Sequence, residues 1–356
     1  MIKKEINHLI SFLNKWTELD VMYYVRGGAL LFSTQFLIVF CSFLLSVAFA
    51  YWTSKEFYGQ FQFVLAVLGT ISVLSFPGAN NAVLVGVSEN KDGTLLQGMR
   101  FKLKWSILGV LALLIAAGYF YFEKPSEPLW QIFLLSIIFF PILTSLDVTH
   151  AFFFGKKKPK WSCVFQLFVE AGSSIGALVA LYLSKNLLLI VAVYLIIQSI
   201  GDIWSFVFAR RKMENGVKDA DFVSYSAHLT VINFIPYIKV FFDKLIVTFF
   251  LGFAATAVYT IAAALSEQLY SISKNVSLLV FPKLTAGKKE VIYKYVIRHI
   301  PKLIVFFVVI AGVASIFAPI IIPFFFSEQY SDAVLLAQLL LVVSIPRAIG
   351  FVLSRV

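Results

Sequence analysis

The chain has 356 residues, 60% of them hydrophobic and only 14% charged, with a mean hydropathy of +0.87. A soluble domain does not carry such a composition, so the chain reads as an all-α polytopic membrane protein. The net charge of +11 does not point to nucleic acid, because the basic residues form short clusters between apolar runs, as membrane topology requires.

Residues 1–26 form an expected cytoplasmic N-terminal segment with no cleavable signal peptide. Ile2, Ile6, Leu9, Ile10, Leu13 and Trp16 fall on one helical face, with Lys3, Lys4, Asn7 and Lys15 elsewhere. That pattern fits either an amphipathic helix on the inner membrane surface or a solvated lead-in. Ten apolar segments follow, at 27–51, 61–87, 105–122, 129–153, 162–183, 187–208, 228–252, 255–281, 302–325 and 332–354. Each is near the roughly 20 residues that cross a bilayer as helix. Cys41 and Cys163 lie in or beside these runs without any CxxC or Cys/His cluster, and read as small hydrophobes.

The connections alternate in character. KDGTLLQGMRFKLK, GKKKPK, RRKMENGVKDAD and KLTAGKKEVIYKYVIRHIPK are basic, whereas TSKEFYG, FEKPSEP, SKN, GFAAT and SEQYSD hold only Lys55, Lys124 and Lys185. Of the 30 Lys and Arg residues, 23 fall on one side, three on the other and four within spans. The positive-inside rule then places the N-terminus and every basic loop in the cytoplasm, with the chain crossing the membrane many times. No outside loop exceeds a handful of residues, which argues against a polymerase or ligase acting on lipid-linked sugars. No GxxxxGK[ST] stretch or other cofactor motif is present. A short internal likeness aligns SKEFYGQFQFVLAV with GFAATAVYTIAAAL, setting Gly59 opposite Ala257 and Phe61 opposite Tyr259, as parallel repeats would.

Four stretches carry a resemblance to a known family. They are EFYGQFQF (Glu56 to Phe63), FFDKLIVTFFLGFAATAVYTIAAAL (Phe241 to Leu265), LVFPKL (Leu279 to Leu284) and PIIIPFFFSEQYSDAVLLAQLLL (Pro319 to Leu341). In order and spacing the chain resembles Wzx-type polysaccharide flippases of the multidrug/oligosaccharidyl-lipid/polysaccharide exporter superfamily. The resemblance implies a MATE-like fold of two facing helical bundles around a central cavity, here 27–209 and 228–356 with 210–227 as cytoplasmic linker. Family members have twelve or fourteen spans, so the second bundle, with four helices, is expected to be incomplete at the C-terminus. The chain is then either a fragment or a form that has lost its last pair. The implied activity is movement of an undecaprenyl-pyrophosphate-linked oligosaccharide, an O-antigen (lipopolysaccharide) or capsule repeat unit, between leaflets by alternating access. Implied partners are that lipid, membrane lipids, a coupling cation (proton or sodium) and polysaccharide polymerase machinery. A drug exporter, a peptidoglycan-precursor flippase, a polytopic polymerase or ligase, and a non-transporting fragment are the competing readings.

Charges inside the spans supply the candidate site, since a charge in hydrocarbon costs at least about 2.5 kcal/mol and needs a partner or water. A pyrophosphate calls for Lys or Arg, and sugars for amides and aromatics. Lys239, Lys244, Lys274 and Arg347 are the candidate substrate-cavity cations. Lys239 and Asp243 are i,i+4 neighbours and read as an ion pair, which leaves Lys244 facing the cavity. Lys274 and Arg347 either face the cavity or snorkel inward, and Arg26 reads as an interfacial anchor. Asp147 and His150 stand i,i+3 as either a proton relay or a helix-end contact. Glu170 and Asp202 either pair with lysines or bind a coupling cation, and Asp243 and Glu267 complete the acidic set. Gln35, Asn80, Asn81, Gln166 and Gln198 read as sugar contacts or interhelical hydrogen-bonding groups.

Overall fold

A computed structural model describes the backbone of residues 21–285 and 289–353, and the side chains of residues 30–271, 301 and 304–350. The expected amphipathic segment 1–20 and the side chains of Arg26 and Lys274 lie outside the described residues. All regular structure among the described residues is helical.

The first helix, α1 (Val21–Trp52), ends before Ser54, whose Oγ accepts the Phe57 N–H at 3.2 Å and so caps α2 (Lys55–Ile71). The second span then breaks. Ser72–Ser75 tighten into a 3-10 turn, Phe76 adopts the left-handed conformation at φ 59°, and α3 (Gly78–Ser88) starts afresh behind Pro77. A left-handed phenylalanine costs about 1–2 kcal/mol, which is offset here by its packing on Trp105 and Phe101, ring centroids at 4.7 and 5.4 Å. Next come α4 (Thr94–Glu123), then α5 (Leu129–Leu146) and α6 (Val148–Gly155), hinged at Asp147. After Pro159, which starts α7 (Pro159–Gln166), a π turn at Leu167–Ala171 leads into α8 (Gly172–Ser184). Asn186 caps α9 (Leu187–Arg211) by accepting from the Leu188 and Leu189 N–H groups. The remaining helices are α10 (Phe222–Ile232), α11 (Phe234–Thr285), α12 (Lys289–Phe326) and α13 (Ala333–Leu353).

Among the described residues nine helical segments are long and apolar enough to cross a membrane, against the ten expected from the sequence. The difference lies in α11, whose apolar part runs from Phe234 to Ser271. One straight helix of that length would be nearly twice a hydrocarbon core of roughly 30 Å, but the Thr248 and Thr256 hydroxyls, eight residues apart, stand 2.7 Å from one another, so the chain bends sharply between them. The helix is interrupted where the sequence parts its seventh and eighth spans, at Gly252, with φ 84° and ψ 178°, a conformation open to glycine alone.

The chain divides into a compact unit, Gly27–Thr256, and another that takes in Ala257–Val356. Within the first, α4 lies along α5, α9 packs on α8 and α5, and α3 sits against α6 and α10. Ala79, Ala82, Val83, Val87, Leu95, Phe152, Phe153 and Phe222 close its core at the basic end. Within the second, α12 packs on α13 around Leu269, Phe307, Ala311, Leu341 and Ala348. Elsewhere the helices turn apolar side chains outward, as along α4, where Leu103, Ile107, Leu111 and Ile115 are 47–73% exposed. Such a stripe is stable in a bilayer and not in water.

Residues 212–221, the heart of the expected linker, are sewn onto the loop before α4. Fully buried Asp92 accepts the Glu214 N–H at 2.7 Å and gives its own N–H to Asn215 at 3.1 Å. The Lys156 ammonium bridges Asp92 at 2.8 Å and Glu214 at 3.2 Å. Burial favours the neutral Lys156 amine, but the bonds from Asp92 and Glu214 outweigh it and hold the pKa above the ordinary 10.5. Its contribution to stability is therefore complete below that value and is lost only as pH rises through the higher native one. Asp92→Ala is expected to free the linker, so that trypsin cuts at Lys212 and Lys218 several-fold faster than in the parent protein.

At Gly59 of α2 an added Cβ would run into the carbonyl of Phe253. Gly59→Ala is expected to destabilise the purified protein by about 1–3 kcal/mol. Gly118→Ala, where a Cβ meets nothing within 4 Å, is expected to leave the melting temperature unchanged.

Candidate functional site

Ionisable residues inside the first unit gather in two layers. Towards the basic end, α4 presents one buried face, Gly98, Lys102, Ser106, Gly109, Leu113 and Ala117, at helical spacing. Small residues on that face let α5 approach, and Lys102, 1% exposed and about 12 Å along the helix from Thr94, is carried inward with it. Its ammonium donates to both carboxylate oxygens of Asp147, at 2.6 and 2.7 Å, and to Asn80 Oδ1 at 3.0 Å. Asn80 Nδ2 in turn donates to Asp147 Oδ2 at 2.9 Å. Asp147 can reach both because it is the hinge between α5 and α6, and Asn80 because the break in the second span puts it in the first turn of α3.

Asp202 of α9 lies on a buried face with Ser199, Ser205 and Ala209 and feels the charges of Asp147, Glu170 and Lys102. Glu170 sits in the π turn, where the Ser173 and Ser174 hydroxyls donate to its backbone carbonyl at 3.0 and 2.9 Å. Neither acid forms an ion pair within 4 Å among the described residues, so the lysine partners expected for them are not found there. Tyr194 of α9 meets the Phe61 ring edge to face, centroids 6.0 Å apart.

The second layer is a polarised chain of hydrogen bonds across three helices. Lys244 Nζ of α11 donates to Gln62 Oε1 at 2.8 Å, Gln62 Nε2 to the Tyr58 hydroxyl at 3.1 Å, and that hydroxyl to Ser46 Oγ of α1 at 3.0 Å. Ser46 then donates to the Ser42 carbonyl at 3.0 Å. Each bond polarises the next, so the positive end of the chain is felt well beyond the ammonium.

Two pairings expected from local spacing are corrected. Lys239 forms no ion pair among the described residues and does not meet Asp243; a lysine that precedes its acid at i,i+4 is in the weaker order along the helix. The Asp147 and His150 side chains do not bond one another, although the His150 N–H donates to the Asp147 carbonyl at 3.2 Å at the helix junction. Asp147 turns to the stronger donor Lys102, and His150 Nδ1 pairs with Ser162 Oγ at 3.2 Å. Arg347, read from the sequence as a cavity cation or a snorkelling one, is bonded to Glu267 Oε1 at 2.6 Å and lies 4.1 Å from the centre of the Tyr270 ring. Both pairing and stacking suit a guanidinium. Lys274 is outside the described residues. Among the described residues no three His, Cys, Asp or Glu side chains are grouped to hold a metal ion.

Lys102, Gln62 and Tyr58 are residues of these polar layers that the sequence reading missed. Lys102 was legible in one respect: it lies on the face that joins Gly98, Ser106 and Gly109, the mark of a buried stripe. Removing one partner of a buried ion pair costs about 3–5 kcal/mol, and less here because Asp147 is 37% exposed. Lys102→Met is expected to lower the yield and melting temperature of folded protein, whereas Lys104→Met is not. The double variant Lys102→Met, Asp147→Leu is expected to recover much of the loss.

Residues 24–286 match a family described as "Polysaccharide biosynthesis protein". No curated protein matches the chain. Solved structures of MATE-family transporters share its fold. One is the outward-facing form of a multidrug-resistance MATE transporter of the MOP superfamily, at TM-score 0.63 and 12% identity, over 92% of this chain and 81% of that one. Another is a MATE protein in complex with MaD5, at 0.59 and 13%, over 90% and 80%. The inward-facing form of a MATE transporter matches at 0.56 and 10%, over 88% and 81%.

Proposed function

The chain belongs to the polysaccharide biosynthesis protein family and has the fold of multi-pass MOP-superfamily transporters, and from this we propose that it carries an undecaprenyl-pyrophosphate-linked oligosaccharide across the bacterial inner membrane. The observation that carries the proposal is the family match over residues 24–286 on a helical transporter fold. The MATE structures speak for the fold alone. The likeness to Wzx-type flippases read from the sequence agrees with both findings. O-antigen and capsule repeat units are the proposed cargo, and the N-terminus is placed in the cytoplasm by the distribution of Lys and Arg.

Lys244 is the proposed contact for the substrate phosphates. It stands about 15 Å along α11 from Phe234, held by Gln62 and through it by Tyr58. An ammonium and a carboxamide at that depth suit an anionic head followed by hydroxyl-rich sugars. Lys239, in the same unit as Lys244, is a further proposed substrate contact, and Arg347 with Glu267, and Lys274, are the proposed contacts of the other unit. Asp202, Glu170, Asp147, His150 and Asp243 are assigned to coupling with a proton or sodium ion, with Lys102 as the fixed counter-charge. A second reading, export of an organic cation, is favoured by the buried Asp202 and the half-buried Glu170, which would attract such a molecule.

Complementation separates the two. In a strain lacking its own repeat-unit flippase the chain is expected to restore surface polysaccharide, while Lys244→Ala and Arg347→Ala reduce it about tenfold or more at equal membrane protein levels, as loss of a charge-assisted bond implies. Drug resistance without surface polysaccharide would transfer the assignment to the organic-cation reading. Wild-type polysaccharide from both variants would remove these residues from the site.

A further inference from the structure

A basic pocket at the foot of α4 is used by neither polar layer. It encloses about 460 Å³ between the first turns of α4 and the linker, with Arg100 and Lys218 at its mouth and Leu96, Phe101, Phe222 and Val223 as its apolar walls. Its shape is fixed by the linker. Gln97 and Asp219 exchange a reciprocal pair of bonds, Nε2 to the carbonyl at 3.0 Å and N–H to Oε1 at 2.8 Å. A side chain at Gly93 would strike the carbonyls of Gly216 and Val217, so only glycine lets the linker come so close. Arg100 and Lys218 form no ion pair among the described residues, and the nearby Asp219 carboxylate is taken by Lys91 at 3.3 Å.

The surroundings identify the occupant. Arg100 begins the stripe that continues through Leu103, Ile107, Leu111 and Ile115, each 47–73% exposed and successive at helical spacing. Lys104, also exposed, stands one turn above Arg100. Cations at the base of an outward apolar stripe match a molecule with an anionic head and hydrocarbon tails, and basic pockets between helices at the membrane face bind phospholipid heads in this way. We infer that this pocket is a binding site for an anionic glycerophospholipid of the surrounding bilayer, its phosphate held by Arg100 and Lys218 and its acyl chains laid along α4. The inference rests on the membrane-spanning character of α4 and not on the proposed cargo.

Native mass spectrometry of the full chain in mild detergent, titrated separately with phosphatidylglycerol, phosphatidylcholine, a polyprenyl phosphate and inorganic phosphate, tests it. At about fivefold per cation, Arg100→Gln with Lys218→Gln is expected to weaken phosphatidylglycerol binding about 25-fold, leaving the other three unaltered. An unchanged phosphatidylglycerol affinity overturns the site. Loss of polyprenyl phosphate binding instead gives the pocket to the cargo, and equal loss of inorganic phosphate makes it a simple anion site; either result also overturns the inference. Should the double variant fold poorly, Lys218→Gln alone, on the linker, is expected to show the fivefold loss with an unaltered melting temperature in the absence of lipid.

Discussion

Hydrocarbon does not hydrate an ammonium, and the first unit depends on how that constraint is met at Lys102. The residue is all but inaccessible, yet it is enclosed by two carboxylate oxygens and one amide oxygen within 3.0 Å. Three separate irregularities are needed to assemble those acceptors. The second span must break so that Asn80 starts a new helix, α5 must stop at Asp147, and α4 must keep small residues beside the lysine so that its neighbours can approach. A buried pair of this kind contributes little net stability over an apolar replacement, but it is costly to break and so fixes which helices meet.

Much of the architecture was legible from hydropathy alone. Membrane spans are the strongest signal a sequence offers, because lipid forces every backbone group into helix. The expected edges at 129–153 and 187–208 fall close to the observed Leu129–Gly155 and Leu187–Arg211. The failure at 105–122 is instructive. A hydropathy window ends a span where Arg100, Lys102 and Lys104 cluster, whereas the helix runs on to Thr94 and distributes the three around its circumference. Arg100 and Lys104 face outward and Lys102 inward, so residues counted together as one loop have opposite fates. Composition records charge, and only the helical projection records its direction.

The candidate site was less legible, for a physical reason. Spacing along one helix names the neighbours a side chain can reach locally, and on that basis Lys239 was given Asp243 and Asp147 was given His150. The structure prefers partners far away in sequence, Asp147 with Lys102 and Lys244 with Gln62. Between packed helices the alternative to a distant partner is an unsatisfied group in hydrocarbon, so interhelical bonds prevail over weak i,i+4 contacts. Glu170 and Asp202 were named from sequence as acids deep in spans, and they do lie close enough to feel one another, but nothing in their local spacing announced it.

Each departure from regular helix geometry lies beside polar side chains. The left-handed Phe76 precedes Asn80 and Asn81, the π turn contains Glu170, and the non-helical Gly252 is followed by Thr256, whose hydroxyl donates to the Gly252 carbonyl at 3.1 Å and bonds Thr248 at 2.7 Å. Backbone freed from the helical ladder is tolerated at membrane depth only where it is buried in protein or lines water. Interrupted spans are also where transporters place the groups that meet their cargo and coupling ions. In this chain the break at Phe76 and the hinge at Asp147 assemble the Lys102 triad, while Ser42, where the Lys244 chain ends, stands 3.3 Å from Ser174, whose hydroxyl donates to the Glu170 carbonyl. A single-layer structural role would need only the pairing of charges. Acids left without ion pairs among the described residues, at Glu170 and Asp202, are costly unless a proton or a cation completes them, and that cost is the physical footing for assigning them to coupling rather than to packing.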